Sequence, residues 1–491
     1  MARASPLALL AALAAGCDAR QPPATPNIIL VSYDGLRADR TGAYGNPAQP
    51  TPTLDRMAAE GLRFESAFSQ SNESLFSHAS LFTGRHVPEL AQPVYESFTL
   101  PESAVMVGEV LGLYGYTTAA FVAGAHIRGA YGFDQGFSVY DDRHDFGSMF
   151  DKAREALEWV DNRSREPFFM VLQSYDCHRP YLRSDAWYHV QDRDYQGVSD
   201  DLLHTRYSVD RTYQGIYYPN FPIRLLQHVA GDRLQDPRGS ERITAWAREH
   251  VDGVELSEQD LDHVRAHYDA AAFALDIQLG RFFEALDQRG ILEDTLVILT
   301  ADHGEDLQEH GYYGHRHSLH DTTTRVPLVI WGRGLAPSLQ GTVRQDLAEA
   351  IDIVPTILAA AGADPPAGLP GRDLLDSSAD DDGYVLQIGV LPQIALRSAT
   401  HRLVFHGVPA ASPVLLAALA NAPFTTEWFE LYDLQADPGE QRNAVAEQTA
   451  AGERMRAAML TRLRSMQRSA EAGAPPDDPA LRELLRSRGY W

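Results

Sequence analysis

Short runs of consecutive apolar residues alternate with amphipathic stretches along most of this chain. Residues 27–32 read Asn-Ile-Ile-Leu-Val-Ser and run into Tyr33-Asp34-Gly35. A continuously apolar, β-branched run of that length predicts a strand covered on both faces of a parallel sheet. The same texture returns at 115–122, 167–174, 295–300 and 326–331. In the segments between, apolar positions recur every three or four residues. That spacing predicts helices over 54–61, 104–113, 152–162 and 261–289. Strand and helix alternating in this way predict an α/β fold with a mostly parallel sheet between helices. In such sheets, chemistry gathers at the carboxyl ends of the strands.

The texture changes twice. Residues 183–253 lack a clear period and are rich in Tyr, Asp and Arg, which predicts an insertion that shapes a pocket. Its aromatic residues would stack a sugar or aryl group, or pack on one another. After an acidic loop over 373–382, short apolar segments at 395–397, 402–406 and 430–434 predict a small antiparallel sheet, followed by a terminal helix from about 447. The expected organisation is therefore an α/β domain over 27–382 and a small α+β subdomain over 383–491.

The N-terminus adds a different signal. Arg3 precedes an apolar stretch over 7–15 that is too short to span a bilayer, as in a secretory signal. Ala14-Ala15-Gly16-Cys17 resembles a bacterial lipobox, so 1–16 is expected to be removed and Cys17 to carry lipid. The Pro-containing residues 17–26 would then be a tether. The expected location is the bacterial cell envelope, periplasm-facing or at the surface, held by a lipid anchor. Cys177 would be left without a disulfide partner, since the chain has two cysteines. A net charge of −25 excludes nucleic acid as a partner, because phosphate backbones need a basic face. Lys152 is the only lysine. Its surroundings, Asp151-Lys152-Ala153-Arg154-Glu155, read as a solvated helix face, so it is a poor candidate for catalysis.

Two strand ends carry candidate chemistry. Asp34 follows the first apolar run, and Asp302-His303-Gly304-Glu305 follows the run at 295–300. Two carboxylates and an imidazole suit a hard or borderline divalent cation. Ser74 would complete the set, because coordination lowers a hydroxyl pKa and makes it a nucleophile near neutral pH. Taken one at a time, each residue has a plainer explanation: an Asp after a strand caps a turn, and a Ser before Leu-Phe-Ser-His starts a helix.

The stretch from Ser71 to Arg85, Ser-Asn-Glu-Ser-Leu-Phe-Ser-His-Ala-Ser-Leu-Phe-Thr-Gly-Arg, resembles the signature of the sulfatases, in the alkaline phosphatase superfamily. So do the blocks at 27–39, 51–55, 61–64, 300–310, 325–328, 352–356 and 431–440. The resemblance implies an alkaline-phosphatase-like fold and a metal-dependent hydrolase of sulfate or phosphate esters. It implies Asp34, Asp302 and His303 as ligands of one divalent ion (calcium, magnesium or manganese), with Ser74 as nucleophile and further ligand. His178, in Cys177-His178-Arg179-Pro180-Tyr181, stands where the family places a histidine facing the leaving group. His315 stands where the family places a lysine, and His78 where it places an arginine. His310 and Arg85 are substrate-binding candidates. A two-zinc variant through Asp176, His178 and His315 is the alternative.

Three departures bear on the ester. Sulfatases carry a cysteine at the place of Ser74, oxidised to formylglycine and followed by a proline and an arginine. Here those two are Phe76 and His78, which breaks the recognition pattern for the modifying enzymes, so Ser74 is expected to stay a serine. Gly35 replaces a second aspartate and removes one oxygen ligand, as in relatives that handle phosphoryl groups. The expected substrate is a small sulfate or phosphate ester of a glycan or lipid headgroup. A phosphodiesterase or a headgroup transferase is an alternative, though such transferases usually carry membrane helices. A non-catalytic binding protein on this fold is a third, opposed by the intact set Asp34, Ser74, His178, Asp302 and His303.

Overall fold

A computed structural model describes residues 25–471, apart from 91–97, 164–166, 179–180, 182–256, 312, 377, 379–382, 408–411 and 413. The signal and lipidation segment with Cys17, and the insertion at 183–253, lie outside the described residues.

The central sheet has eight strands: β1 (Asn27–Tyr33), β2 (Leu62–Phe68), β3 (Thr117–Phe121), β4 (Val139–Asp141), β5 (Phe168–Ser174), β6 (Thr295–Ala301), β9 (Leu328–Gly332) and β10 (Thr342–Glu349). A separate two-residue pair, β7 (Asp306–Leu307) and β8 (Tyr313–Gly314), follows β6. The strand order is β10-β2-β9-β6-β1-β5-β3-β4. All neighbours are parallel except β9, which runs antiparallel to both β6 and β2. The expected mostly parallel α/β sheet is thus present, with one strand reversed.

β1 lies at the centre and shows how the sheet separates two cores. Successive side chains of a strand point to opposite faces. Ile28 and Leu30 join Phe64, Phe82, Ile298 and Ile330 on one side. Ile29, Val31 and Tyr33 join Phe168, Leu172, Leu279 and Leu299 on the other. Helices α1 (Pro52–Glu60), α4 (Met149–Asn162) and α5 (Glu258–Gln288) cover the second face. Helices α2 (Ser74–Thr83), α3 (Val107–Leu113) and α6 (Ile353–Ala361) cover the first. No helix among the described residues is long and apolar enough to cross a membrane.

The helix ends have local causes. Glu73 caps α2 by accepting from the Leu75 N–H, and Gly84 closes it at φ 67°. α5 begins with a capping box between Ser257 and Asp260. The cap of α1 comes from another helix: the Asp276 carboxylate accepts from the Thr53 and Leu54 amides.

Beyond residue 383, β11 (Val385–Ile388), β12 (Gln393–Arg397), β13 (His401–His406) and β14 (Phe429–Asp433) form an antiparallel meander. Helices α7 (Leu415–Asn421) and α8 (Thr449–Glu471) pack on it around Leu396, Phe405, Leu419, Leu431 and Met459. One fully buried guanidinium ties this sheet to the large domain. Arg402 pairs with Asp321 and Glu440, and also donates to the Gln387 side chain at 2.7 Å.

Lys152 corrects the sequence expectation. It is fully buried, 2.8 Å from Glu155 and 3.8 Å from Asp141, where a solvated face was expected. The i,i+3 Lys–Glu pair has the same charge pattern on a surface helix as at a buried ion pair.

Candidate active site

The carboxyl ends of β1 and β6 lie side by side, with Tyr33 in register with Ala301. That register brings Asp34 and Asp302 together, both almost fully buried. Asp302 accepts from the Gly35 amide at 3.1 Å and the His303 amide at 2.8 Å, both through Oδ1. Its Oδ2, like Oδ1 of Asp34, is buried and accepts no hydrogen bond among the described residues. Ligand atoms of Asp34, Asp302 and His303 all lie within 4.8 Å of one another.

Ser74 begins α2 and faces this group. Its Oγ donates to Asp34 Oδ2 at 2.9 Å and lies 3.2 Å from His303 Nε2. His303 Nδ1 sits 2.8 Å from the Gly304 carbonyl, which can only accept, so that nitrogen carries the proton. Nε2 is left with its lone pair toward Ser74 and the carboxylates, as a metal-binding imidazole requires.

The electrostatics favour a cation here. Burial, and then the charge of Asp302, push the Asp34 carboxyl well above the usual range. Two facing carboxylates in a dry site repel unless a proton or a cation lies between them. The donor set of two carboxylates, one imidazole and one hydroxyl, with two carboxylate oxygens left over, fits a divalent ion. Asp34, Asp302 and His303 would hold it, with Ser74 beside them.

His78 lies behind Ser74. It is fully buried one helical turn on from Ser74. Its Nδ1 donates to the Ser74 carbonyl at 2.8 Å, and its Nε2 is 3.0 Å from the Ser32 hydroxyl. Burial lowers its pKa and keeps it neutral. These contacts fix the backbone of Ser74 and do not reach its hydroxyl.

The other side of the site is imidazole-rich. His315 stacks on His303, with ring centroids 4.0 Å apart, and is 2.8 Å from Glu305 through Nδ1. His178 meets His315 edge-on at 5.1 Å and Tyr175 at 5.4 Å. His178 is partly exposed, whereas His303 and His315 are buried. Gly35 has φ 76°, and a Cβ there would come within 3.4 Å of both the Cys177 carbonyl and Glu305 Oε2. A side chain at that position would be strained, and Glu305 already fills the adjoining space.

Two expected substrate contacts lie elsewhere. Arg85 stands past the far end of α2, which puts about 13 Å of helix rise between Ser74 and Thr83. Its guanidinium donates to the Ala367 and Gly368 carbonyls. His310 faces Asp306 at 3.0 Å and stacks on His320 at 3.8 Å, in a separate cluster. Conversely, the sequence reading passed over Glu73 and His126, whose side chains meet at 2.9 Å next to Ser74. Glu73 was visible as the neighbour of Ser74. His126, from the loop after β3, carried no sequence signal.

A family model described as Sulfatase matches residues 26–363. The chain belongs to the sulfatase family. As a family member it is a hydrolase of sulfuric esters. It is 28% identical to arylsulfatase A of Homo sapiens, over 89% of this chain and 86% of that protein. A solved structure of a protein in complex with its substrate D-glucosamine-2-N,6-O-disulfate aligns with a TM-score of 0.69, at 19% identity, covering 92% of this sulfatase and 100% of that chain. Phosphonate monoester hydrolase of Agrobacterium radiobacter aligns with a TM-score of 0.64, at 19% identity, covering 91% and 96%. The fold is therefore the one that the sequence motifs implied.

Proposed function

We propose that this sulfatase hydrolyses a sulfate ester of a sugar, with an unmodified Ser74 as nucleophile and His178 as general acid. The observation that carries the reading is the Ser74 hydroxyl, 2.9 Å from Asp34 and 3.2 Å from His303 inside a buried two-carboxylate group. A divalent ion bound by Asp34, Asp302 and His303, with calcium, magnesium or manganese suiting the oxygen-rich set, would supply positive charge against the ester oxygens.

The chain's own residues do the rest. The Ser74 proton passes to Asp34, its hydrogen-bond acceptor. Oγ then attacks sulfur, and the bond from sulfur to the sugar oxygen breaks. His178 gives that oxygen its proton, leaving a free alcohol and a sulfate ester on Ser74. In the second half His178 takes a proton from water, the resulting hydroxide attacks the same sulfur, and the bond from sulfur to Ser74 Oγ breaks as Asp34 returns its proton to that oxygen. His315, its Nδ1 proton held by Glu305, would donate to an ester oxygen through Nε2 as an imidazolium. The sugar assignment is supported by the structural relative that binds a sulfated glucosamine. A phosphate or phosphonate monoester is the second reading, favoured by Gly35 and by the likeness to the phosphonate monoester hydrolase.

Turnover on sulfated glucosamine and on chromogenic sulfate, phosphate monoester, phosphate diester and phosphonate substrates separates these readings. Ser74→Ala should lose about 10³-fold or more in kcat on whichever ester is cleaved. Retained turnover removes the nucleophile assignment. Intact mass of the Ser74 peptide decides the modification, because formylglycine would be lighter by two hydrogens.

The residues before Asn27 support export with lipid on Cys17. Cys17→Ser should move the protein from the membrane to the soluble fraction of the producing cell, and unchanged membrane association would refute the anchor.

A further inference from the structure

We propose a second cation site, distinct from the catalytic group, formed by Asp306, His310 and His320 and suited to zinc. Ligand atoms of these three side chains lie within 4.8 Å of one another. Asp306 is fully buried, and its Oδ1 has no hydrogen-bond partner among the described residues. His320 is 6% exposed, and its Nδ1 is likewise without one.

The hydrogen bonds of His310 sharpen the argument. Its Nε2 is 3.2 Å from the Gly439 carbonyl, which can only accept, so Nε2 carries a proton. When that ring is neutral, its Nδ1 presents a lone pair to Asp306 Oδ2, 3.0 Å away, and His317 Nε2 approaches the same oxygen at 3.4 Å. A lone pair facing a carboxylate is repulsive unless a proton or a metal ion lies between them. Tetrahedral zinc with bonds of about 2.0 Å sets its ligand atoms about 3.3 Å apart, so the existing separation needs little change. The stacked His320 ring, 3.8 Å from His310, brings a second imidazole to the same place. One carboxylate and two imidazoles form a borderline set that favours zinc over calcium.

The outer ring atoms of both histidines reach the small subdomain. His320 Nε2 is 3.3 Å from the Tyr432 hydroxyl, and His310 holds Gly439. An ion here would clamp the loop after β7 to the end of β14. It would act as a structural staple, separate from the ion at Asp34 and Asp302.

Metal content by mass spectrometry tests this on the full chain, stripped and then reloaded with zinc and calcium. The wild type should hold two ions. Asp34→Asn/Asp302→Asn and His310→Gln/His320→Gln should each hold one, and the fourfold variant none. A wild type with one ion and an unchanged count in His310→Gln/His320→Gln overturns the proposal. An unchanged count in Asp34→Asn/Asp302→Asn, with a loss in the histidine variant, would overturn the catalytic-ion reading and leave this one standing. Should the histidine variant fail to fold, cobalt(II) titration of stripped wild type decides. Saturation at two equivalents, one with the strong visible absorption of four-coordinate cobalt, supports the staple, and saturation at one refutes it.

Discussion

Ser74 owes its position to its neighbours. His78 and Ser32 hold its backbone, Glu73 caps its helix, and Asp34 accepts a hydrogen bond from its hydroxyl. Asp34, Asp302 and His303 were legible in the sequence because each follows a fully apolar strand. The Glu73–His126 pair was not, since nothing in either local sequence announces the other. A further buried histidine sets a testable pH dependence. His86 is 2% exposed, its Nδ1 has no partner among the described residues, and Arg462 lies nearby. Burial first, and then the Arg462 charge, push its pKa down to about 3, against about 6.5 in an unfolded chain. The unfolded state therefore binds the extra proton first as pH falls. The stability this group contributes is complete above pH 6.5 and is lost progressively down to about pH 3. His86→Gln should shrink the fall in Tm between pH 7 and pH 4 measured by calorimetry. An identical fall in both proteins would show that His86 does not titrate in this way.

At the scale of elements, the strands that the pattern revealed are those buried on both faces, such as β1, β5 and β6. β2 and β10 were missed as strands because three of the seven residues of β2 and six of the eight of β10 are not fully covered, so their apolar runs are broken. β9 was legible as a strand, but its reversed direction was not, because direction depends on the connection and not on the strand. The loop leaving β6 has little room. A Cβ on Gly304 would sit 2.2 Å from the Thr322 carbonyl, and the Gly304 amide donates to Thr323 at 2.8 Å. Backbone cannot yield as a side chain can. Gly304→Ala should lower stability by about 1–3 kcal/mol in chemical denaturation and displace His303, with weaker metal binding in the same preparation. Wild-type metal affinity in that variant would mean that the loop moves away from the site and leaves His303 in place.

Across the whole molecule, the two sheets are joined through charge. Arg402 is fully buried between Asp321 and Glu440, and Arg397 pairs with Asp321 at 3.1 Å. Removing Arg402 leaves the buried Glu440 without its counter-charge and Asp321 with Arg397 alone, and breaking a buried pair in this way costs about 3–5 kcal/mol. Arg402→Met should lower Tm accordingly and raise hydrogen exchange first in β13 and β14. Exchange that rises evenly over both sheets would show that the subdomain does not loosen on its own. The sequence disclosed the small sheet through its short strands. It did not disclose the charged seam, because Arg402 and Asp321 look like ordinary surface residues until their burial is known. Lys152 misled for the same reason.

The parallel pairing of β1 with β6 has a consequence for the order of events during synthesis. Gly35 and Asp302 are bonded across 267 positions. A nascent chain that stops short of β6 can already pair β1 with β5, yet of the three side chains that would hold the ion it has only Asp34. Ion binding would therefore wait until β6 has docked beside β1, so the ion would report the closing of the central sheet and say nothing of the small subdomain.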